Sequence, residues 1–195
     1  MRSIAQETLR LLTRPGERME LRGEDIPFWL ERLSRQGTSA IGLTGQDLYT
    51  EYLLSSKARA RSTQTLRVLA SISWQASQTR FGKPALCLIG PSDATLPGLA
   101  SARRPLRVSV PAKYRALGRR YLNTLELQGY TFLKQYLRGG IEATIKAGLA
   151  DLAIDIVYTG DTLREMGLAV YNIILLSDFY VLETSMTDTG GDTYE

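Results

Sequence analysis

The chain has 195 residues, 44% of them hydrophobic and 23% charged, with a net charge of +4, one cysteine and no histidine. That is enough chain to bury a sizeable core as one domain or two small lobes. The absence of histidine excludes a His-based triad, a His-ligated zinc and His general-base chemistry. No apolar run approaches the ~20 residues needed to span a bilayer. Residues Met1 to Arg10 are polar and amphipathic, without the apolar core of a signal peptide. Cys87 lies in an apolar run and reads as packing rather than as a nucleophile. These features predict a cytoplasmic protein with no membrane association.

In chain order, Ile4 to Leu12 reads as a helix and Met19 to Leu21 as a short strand after the turn Arg14-Pro-Gly16. A helix follows from about Glu24 to Gln36, with Pro27 in its first turn, Ile26, Leu30 and Leu33 on one face and Gly37 as its stop. Ser39 to Leu43 is predicted as a strand, Thr44-Gly45 as a turn, and Gln46 to Leu54 as a helix. From Ser55 to Arg80 the composition shifts to Ser, Gln, Arg and Thr, predicting a basic loop and then a helix or strand that periodicity does not separate. Ala85 to Ile89 and Leu106 to Val110 are predicted strands. Leu117, Tyr121, Leu122 and Leu125 mark an amphipathic helix ending near Gly129. Tyr130 to Tyr136 reads as a strand, Ile141 to Lys146 as a helix, Leu152 to Val157 as a strand, and Ala169 to Leu176 as another. The tail after Thr184 is expected to fray. Alternating helices and strands predict an α/β class.

One segment carries more chemistry than the rest. The run Leu152 to Val157, interrupted by Asp155, stops at Thr159-Gly160, and a short helical pattern begins at Asp161. A strand entering such a turn and then a helix presents free N–H groups at one point, a phosphate site that needs no lysine. The same letters also make an ordinary cap and turn. An earlier strand leads into Thr44-Gly45-Gln-Asp47 in a similar way, so two similar α/β lobes are expected, with the Thr-Gly turns facing one cleft. Basic residues concentrate in Lys57 to Arg61 and from Arg103 to Arg120. No helix-turn-helix, RNA-binding or zinc-finger pattern organises them for nucleic acid, and a polyanionic small molecule needs the same charge.

Glu142, Gly148, Ala150, Asp155, Ile156, Thr159, Gly160, Thr162 and Leu163 together resemble the signature of the ATP phosphoribosyltransferase family, with Ala153 where that family has Ile or Val. The resemblance extends over Arg22-Gly-Glu-Asp25-Ile-Pro27, Gly42 to Asp47, Phe81-Gly-Lys83, Arg107 to Tyr114, Arg119-Arg120-Tyr121 and Gly139-Gly-Ile-Glu142, with an insertion-like stretch around Ser56 to Ser77. The family's opening strand and its basic Pro-Lys-Gly-Arg-type turn have no counterpart here, and Met1 onward lines up with the helix after that turn.

The resemblance implies two lobes of the type II periplasmic-binding-protein kind with a ligand cleft between them. The lobes are expected at residues 1–90 plus 169–195 and at 91–168. It implies an enzyme joining N1 of ATP to phosphoribosyl diphosphate with release of diphosphate, the first step of histidine biosynthesis, with Mg²⁺. Asp155, Thr159, Gly160, Asp161, Thr162 and Leu163 would bind phosphoribosyl diphosphate; Glu142 and Asp155 would hold the metal. Asp155, Glu142 and Lys113 would be catalytic, while Gly45, Asp47, Arg119 and Arg120 would face the nucleotide. Trp29 and Trp74 are candidates for stacking on adenine, although Trp29 is placed by its helix in the core. The short form of the family implies a homo-oligomer, or a hetero-oligomer with a histidyl-tRNA-synthetase-like regulatory subunit. The alternative expectation is an inactive or divergent paralogue that still binds a nucleotide or phosphosugar. A solute-binding module of the same architecture is a third.

Overall fold

The computed structural model describes residues 18–55, 66–74, 78–102 and 104–184. The predicted helix at Ile4 to Leu12, the basic run Lys57 to Arg61 and the tail after Thr184 lie outside them. The elements are α1 (Ile26–Arg35), β1 (Ile41–Gly45), α2 (Gln46–Leu54), β2 (Leu66–Ile72), β3 (Ala85–Pro91), α3 (Leu96–Ala100), β4 (Leu106–Pro111) and a 3₁₀ turn (Ala112–Tyr114). They continue with α4 (Arg115–Glu126), β5 (Phe132–Leu137), α5 (Ile141–Lys146), β6 (Leu152–Val157), α6 (Asp161–Glu165), β7 (Leu168–Leu176) and β8 (Phe179–Thr184). The chain divides into two units, the first running to Ile72 and resuming at Phe179, the second running from Ser73 to Asp178.

In the first unit β8 is the central strand of an antiparallel sheet, order β1-β8-β2. Its core joins Leu30 of α1 and Tyr49 of α2 to Leu66 and Leu182. Pro27, Leu30 and Glu31 are the buried positions of α1. Glu31 is held there by Arg35 and the Tyr52 hydroxyl, which makes burial of its carboxylate tolerable.

The second unit is a five-stranded mixed sheet, order β5-β4-β6-β3-β7. β4 lies parallel to β5 and β6, whereas β3 runs antiparallel to β6 and β7. Both faces are covered. On one, Gly118 of α4 presses so closely on Val110 that a Cβ there would lie 2.7 Å from its Cγ1. On the other, α5 is pinned by Thr144 Oγ1 donating to Ser109 Oγ at 2.9 Å, and Ile141 and Leu163 close over Cys87, Ala153 and Val157. Burial on both faces is why β3 and β6 are written as nearly continuous apolar runs; Ala85 to Ile89 are wholly inaccessible to solvent.

Several expectations change. Met19 to Leu21 form no strand, and Met19 is exposed, because no neighbouring strand offers the ladder that β-propensity alone cannot supply. Strand β1 runs on through Thr44 and Gly45 into α2, so the expected turn there is the strand's own end. Trp29 is 41% exposed rather than in the core: it lies beside, not on, the buried stripe of α1. Helix α3 and strand β8 were not anticipated. The expected lobe boundaries at 90/91 and 168/169 fall inside or beside β3 and β7, whose pairing to β6 and to each other keeps both strands in the second unit.

Candidate functional site

Parallel pairing determines what meets at the site. Strands β5, β4 and β6 point the same way, so the segments following them emerge on one edge of the sheet. After β4 comes Lys113, after β5 the turn leading to Glu142, and after β6 the loop Tyr158 to Thr162. The start of antiparallel β3 reaches the same edge, since Ala85 is opposite Val157. The end of β7 also arrives there, since Leu176 is opposite Ala85. Carboxyl ends of parallel strands are where ligands bind in open α/β sheets.

The loop after β6 is built on Gly160, in the left-handed region at φ 82° as the residue preceding α6. Asp161 N–H donates to Thr159 Oγ1 at 3.3 Å, so that amide is capped internally. The N–H groups of Thr159, Gly160, Thr162 and Leu163 have no protein acceptor among the described residues. Asp161 is exposed and held below the usual carboxylate range, first by the Thr159 hydroxyl and then by Arg164. Thr162 is exposed as well, but the Leu163 side chain is core, 1% exposed, which leaves only its main chain to serve a ligand. Tyr158 is packed edge to face against buried Trp74, with ring centroids 5.6 Å apart. Trp74 therefore supports the loop and is not placed to stack on a base.

Asp155 is half-buried near the end of β6, on the face that Ala153 and Val157 share. Burial raises its carboxyl, while the Ile156 N–H (2.8 Å to Oδ1) and the positive charge of Lys113 pull against that rise. Glu142, in the first turn of α5, is raised by burial and then by the negative charge of Asp155. Lys113 acts on Asp155 and Asp155 on Glu142, so the three expected catalytic groups share one electrostatic neighbourhood. The turn delivering Glu142 uses Gly139 (φ 106°) and Gly140 (φ 63°), a left-handed pair that other residues adopt only at a cost.

Arg119 and Arg120 are exposed on α4, one turn beyond its start. Gly45 is extended (φ −70°, ψ 144°), unlike its sequence counterpart Gly160, and it precedes α2 in the first unit. Asp47 is 5% exposed in the first turn of that helix. Cys87 is fully buried and its thiol is pushed up to about 12 by burial, as expected of a packing residue.

The sequence reading missed Asp178, which accepts from the Trp74 N–H (2.9 Å) and from Lys83 Nζ (2.6 Å) at this edge. It also missed Arg80, whose N–H donates to the Tyr158 carbonyl at 2.9 Å. Both contacts come from strand register rather than local pattern. Among the described residues no group of three or more Asp, Glu, Cys or His residues forms a ready-made metal cage.

The ATP phosphoribosyltransferase (HisG) family model matches residues 22–189, spanning every element of both sheets. The chain belongs to the ATP phosphoribosyltransferase family. A curated ATP phosphoribosyltransferase from Lachnospira eligens is 30% identical over 150 residues, 75% of this chain and 55% of that protein. The chain thus spans about half the length of that relative. Among solved structures, the ATP phosphoribosyl transferase (HisG:HisZ) complex from Thermotoga maritima superposes with a TM-score of 0.64 at 22% identity, covering 92% of this chain and 81% of that one. The periplasmic sulfonate-binding protein SsuA from Methylobacillus flagellatus gives 0.55 at 13% identity, covering 94% and 53%. At these identities the likeness is one of fold, and it bears out the two-lobed α/β class. No helix among the described residues is long and apolar enough to cross a membrane.

Proposed function

We propose that this member of the ATP phosphoribosyltransferase family catalyses the family reaction, joining N1 of ATP to phosphoribosyl diphosphate with release of diphosphate, in the cytoplasm, as the first step of histidine biosynthesis. The observation that carries the reading is the convergence of Lys113, Glu142, Asp155 and the loop after β6 on one edge of the five-stranded sheet. The phosphoribosyl phosphate is assigned to the unpartnered amides of Thr159, Gly160 and Thr162 and to the two threonine hydroxyls. Asp155 accepts from the ribose hydroxyls. Lys113 offsets the charge of the departing diphosphate, whose stabilisation is the main demand of a displacement at a sugar carbon. For ATP the reading keeps the exposed Arg119 and Arg120. Gly45 and the buried Asp47 belong to the first unit, and Asp47 is assigned the start of α2 rather than a contact with the base.

Magnesium fits the donor set. It is commonly bound by one or two carboxylates together with substrate phosphates, and Glu142 and Asp155 supply such a pair, both raised by burial and Glu142 further by the charge of Asp155. When bound, Mg²⁺ would neutralise diphosphate charge. The working assembly is proposed to be an oligomer, in which a HisZ-like subunit, as named in the Thermotoga maritima HisG:HisZ complex, takes part and regulates this chain.

The test replaces Thr159 and Thr162 together by alanine. Turnover in a diphosphate-release assay is expected to vanish while the circular dichroism spectrum is unchanged. Undiminished release sinks the loop assignment. Calorimetry with phosphoribosyl diphosphate and ATP on the unaltered chain addresses the paralogue reading: binding of both without release selects a binding protein over an enzyme.

A further inference from the structure

The segment entering β3 brings an unused cation to the loop after β6. Arg80 is fastened there by its own main chain, its N–H donating to the Tyr158 carbonyl at 2.9 Å. From that anchor its side chain crosses Gly160: a Cβ built on Gly160 would lie 3.1 Å from Arg80 Cδ and 3.2 Å from Nη1. Gly160 is buried although it sits in a loop, and Arg80, itself exposed, is what lies against it. The guanidinium rests 5.6 Å from the Phe81 ring centroid, a contact that limits its wandering. Its positive charge also reaches Cys87 on β3, where it opposes the effect of burial.

What the guanidinium lacks is an anion. Among the described residues Arg80 forms no ion pair, and Asp161, the acid nearest along the loop, is taken by Arg164. Arg104 and Arg107 of the same unit, by contrast, both close on Asp151. A planar five-donor fork held beside amides with no protein acceptor is suited to a phosphoryl group, which it can grip through two oxygens at once.

We propose that Arg80 is a phosphate-binding residue of this site, its guanidinium covering the phosphoryl group that the Thr159 and Gly160 main chain holds from below. The inference rests on the loop assignment above and extends it to a side chain from the segment that enters β3. It also gives Gly160 a second reason to be glycine. Besides its positive φ, a Cβ there would press on Arg80 Cδ and Nη1 and push the guanidinium stem back by a few tenths of an ångström.

The test is calorimetry with ribose 5-phosphate, and ribose as its uncharged counterpart, on the full chain and on Arg80→Ala, Arg80→Lys and Arg67→Ala. Arg67 is a charge control, since it is exposed and paired with Glu183 in the first unit. Arg80→Ala is expected to weaken ribose 5-phosphate binding about 10- to 100-fold, the range of a charge-assisted hydrogen bond. Arg80→Lys should recover part of that loss, and Arg67→Ala should bind like the unaltered chain. If the unaltered chain binds ribose 5-phosphate and both Arg80 variants bind it equally well, the Arg80 assignment is overturned and the loop assignment survives. If the unaltered chain shows no preference for ribose 5-phosphate over ribose, the loop assignment falls and takes Arg80 with it. Arg80→Lys keeps the charge and the main-chain anchor, so the comparison stands even if the alanine variant folds poorly.

Discussion

Asp151 and Asp155 stand on one stretch of chain, one just ahead of β6 and the other near its end, and the sheet gives them opposite surroundings. Asp151 lies at the edge where β4 and β6 begin. Arg104 grips its two oxygens at 2.7 and 2.8 Å, and Arg107 adds its main-chain N–H at 2.8 Å and its guanidinium at 3.0 Å. These bonds, that of Arg104 foremost, hold the Asp151 carboxyl far below the usual range. Asp155 lies at the edge where the same strands end, raised by burial and only partly answered by Ile156 N–H and Lys113. One edge satisfies its carboxylate with protein groups. The other, although it pairs Asp178 with Lys83, leaves Glu142 and Asp155 less than satisfied, a condition that a ligand can relieve. The difference also divides the basic run from Arg103 to Arg120: Arg107 is structural, whereas Lys113, a few residues on, is at the edge proposed to react.

The contrast can be broken most decisively at its reactive end. Glu142→Gln and Asp155→Asn are each expected to lower turnover by on the order of 10² to 10³, the cost of removing one group that stabilises a charged transition state. Neither should unfold the chain. A diphosphate-release assay beside a thermal melt checks both halves, and near-normal turnover in both variants would remove this edge from the chemistry. Asp151→Asn should do the reverse. It leaves two arginines without their anion, and a fully buried pair broken in this way costs about 3–5 kcal/mol. Because Arg104 and Arg107 are half-exposed, the expected loss is nearer about 2 kcal/mol. Denaturant unfolding would measure it, and turnover per folded molecule should be unchanged.

Much of the second unit was legible because burial on both faces writes itself into a strand. Ala85 to Ile89 and Leu152 to Val157 could be little else. The first unit was harder. β8 follows β7 after only Ser177 and Asp178, so its apolar residues looked like the fading end of the strand before it. Met19 to Leu21 had the propensity of a strand without a partner. In the second unit the exception is α3, which packs Pro97 and Gly98 into a helix begun by Thr95, whose hydroxyl accepts the Gly98 N–H. The site divides along the same line. Asp155, Glu142 and the Thr159 to Thr162 loop lie within a short stretch whose spacing carries the pattern. Arg80 and Asp178 do not, because only the pairing of β3 with β6 and β7 brings them to that edge.

The smallest expected effect is the one that tests the electrostatic contrast itself. A carboxyl lowered by folding, such as Asp151, contributes stability above the ordinary carboxylate range and loses it as pH falls towards its folded value. Asp155 has the opposite sign. Its folded carboxyl holds a proton more tightly than the unfolded one, so its contribution is most favourable at acid pH. That contribution declines as pH rises through the window between the ordinary and the raised value, and above that window the cost is constant. Asp155→Asn removes the cost, so at neutral pH the variant should be slightly more stable than the unaltered chain, and the gap should close on acidification. For Asp151→Asn the gap is in the other direction and also closes on acidification, as the unaltered chain loses its ion pairs. Melting curves of both variants from neutral to acid pH therefore converge on the unaltered chain from opposite sides. If Asp155→Asn instead lies below it at neutral pH, this carboxylate is stabilised by partners within the protein, and the reactive edge is no less satisfied than the structural one.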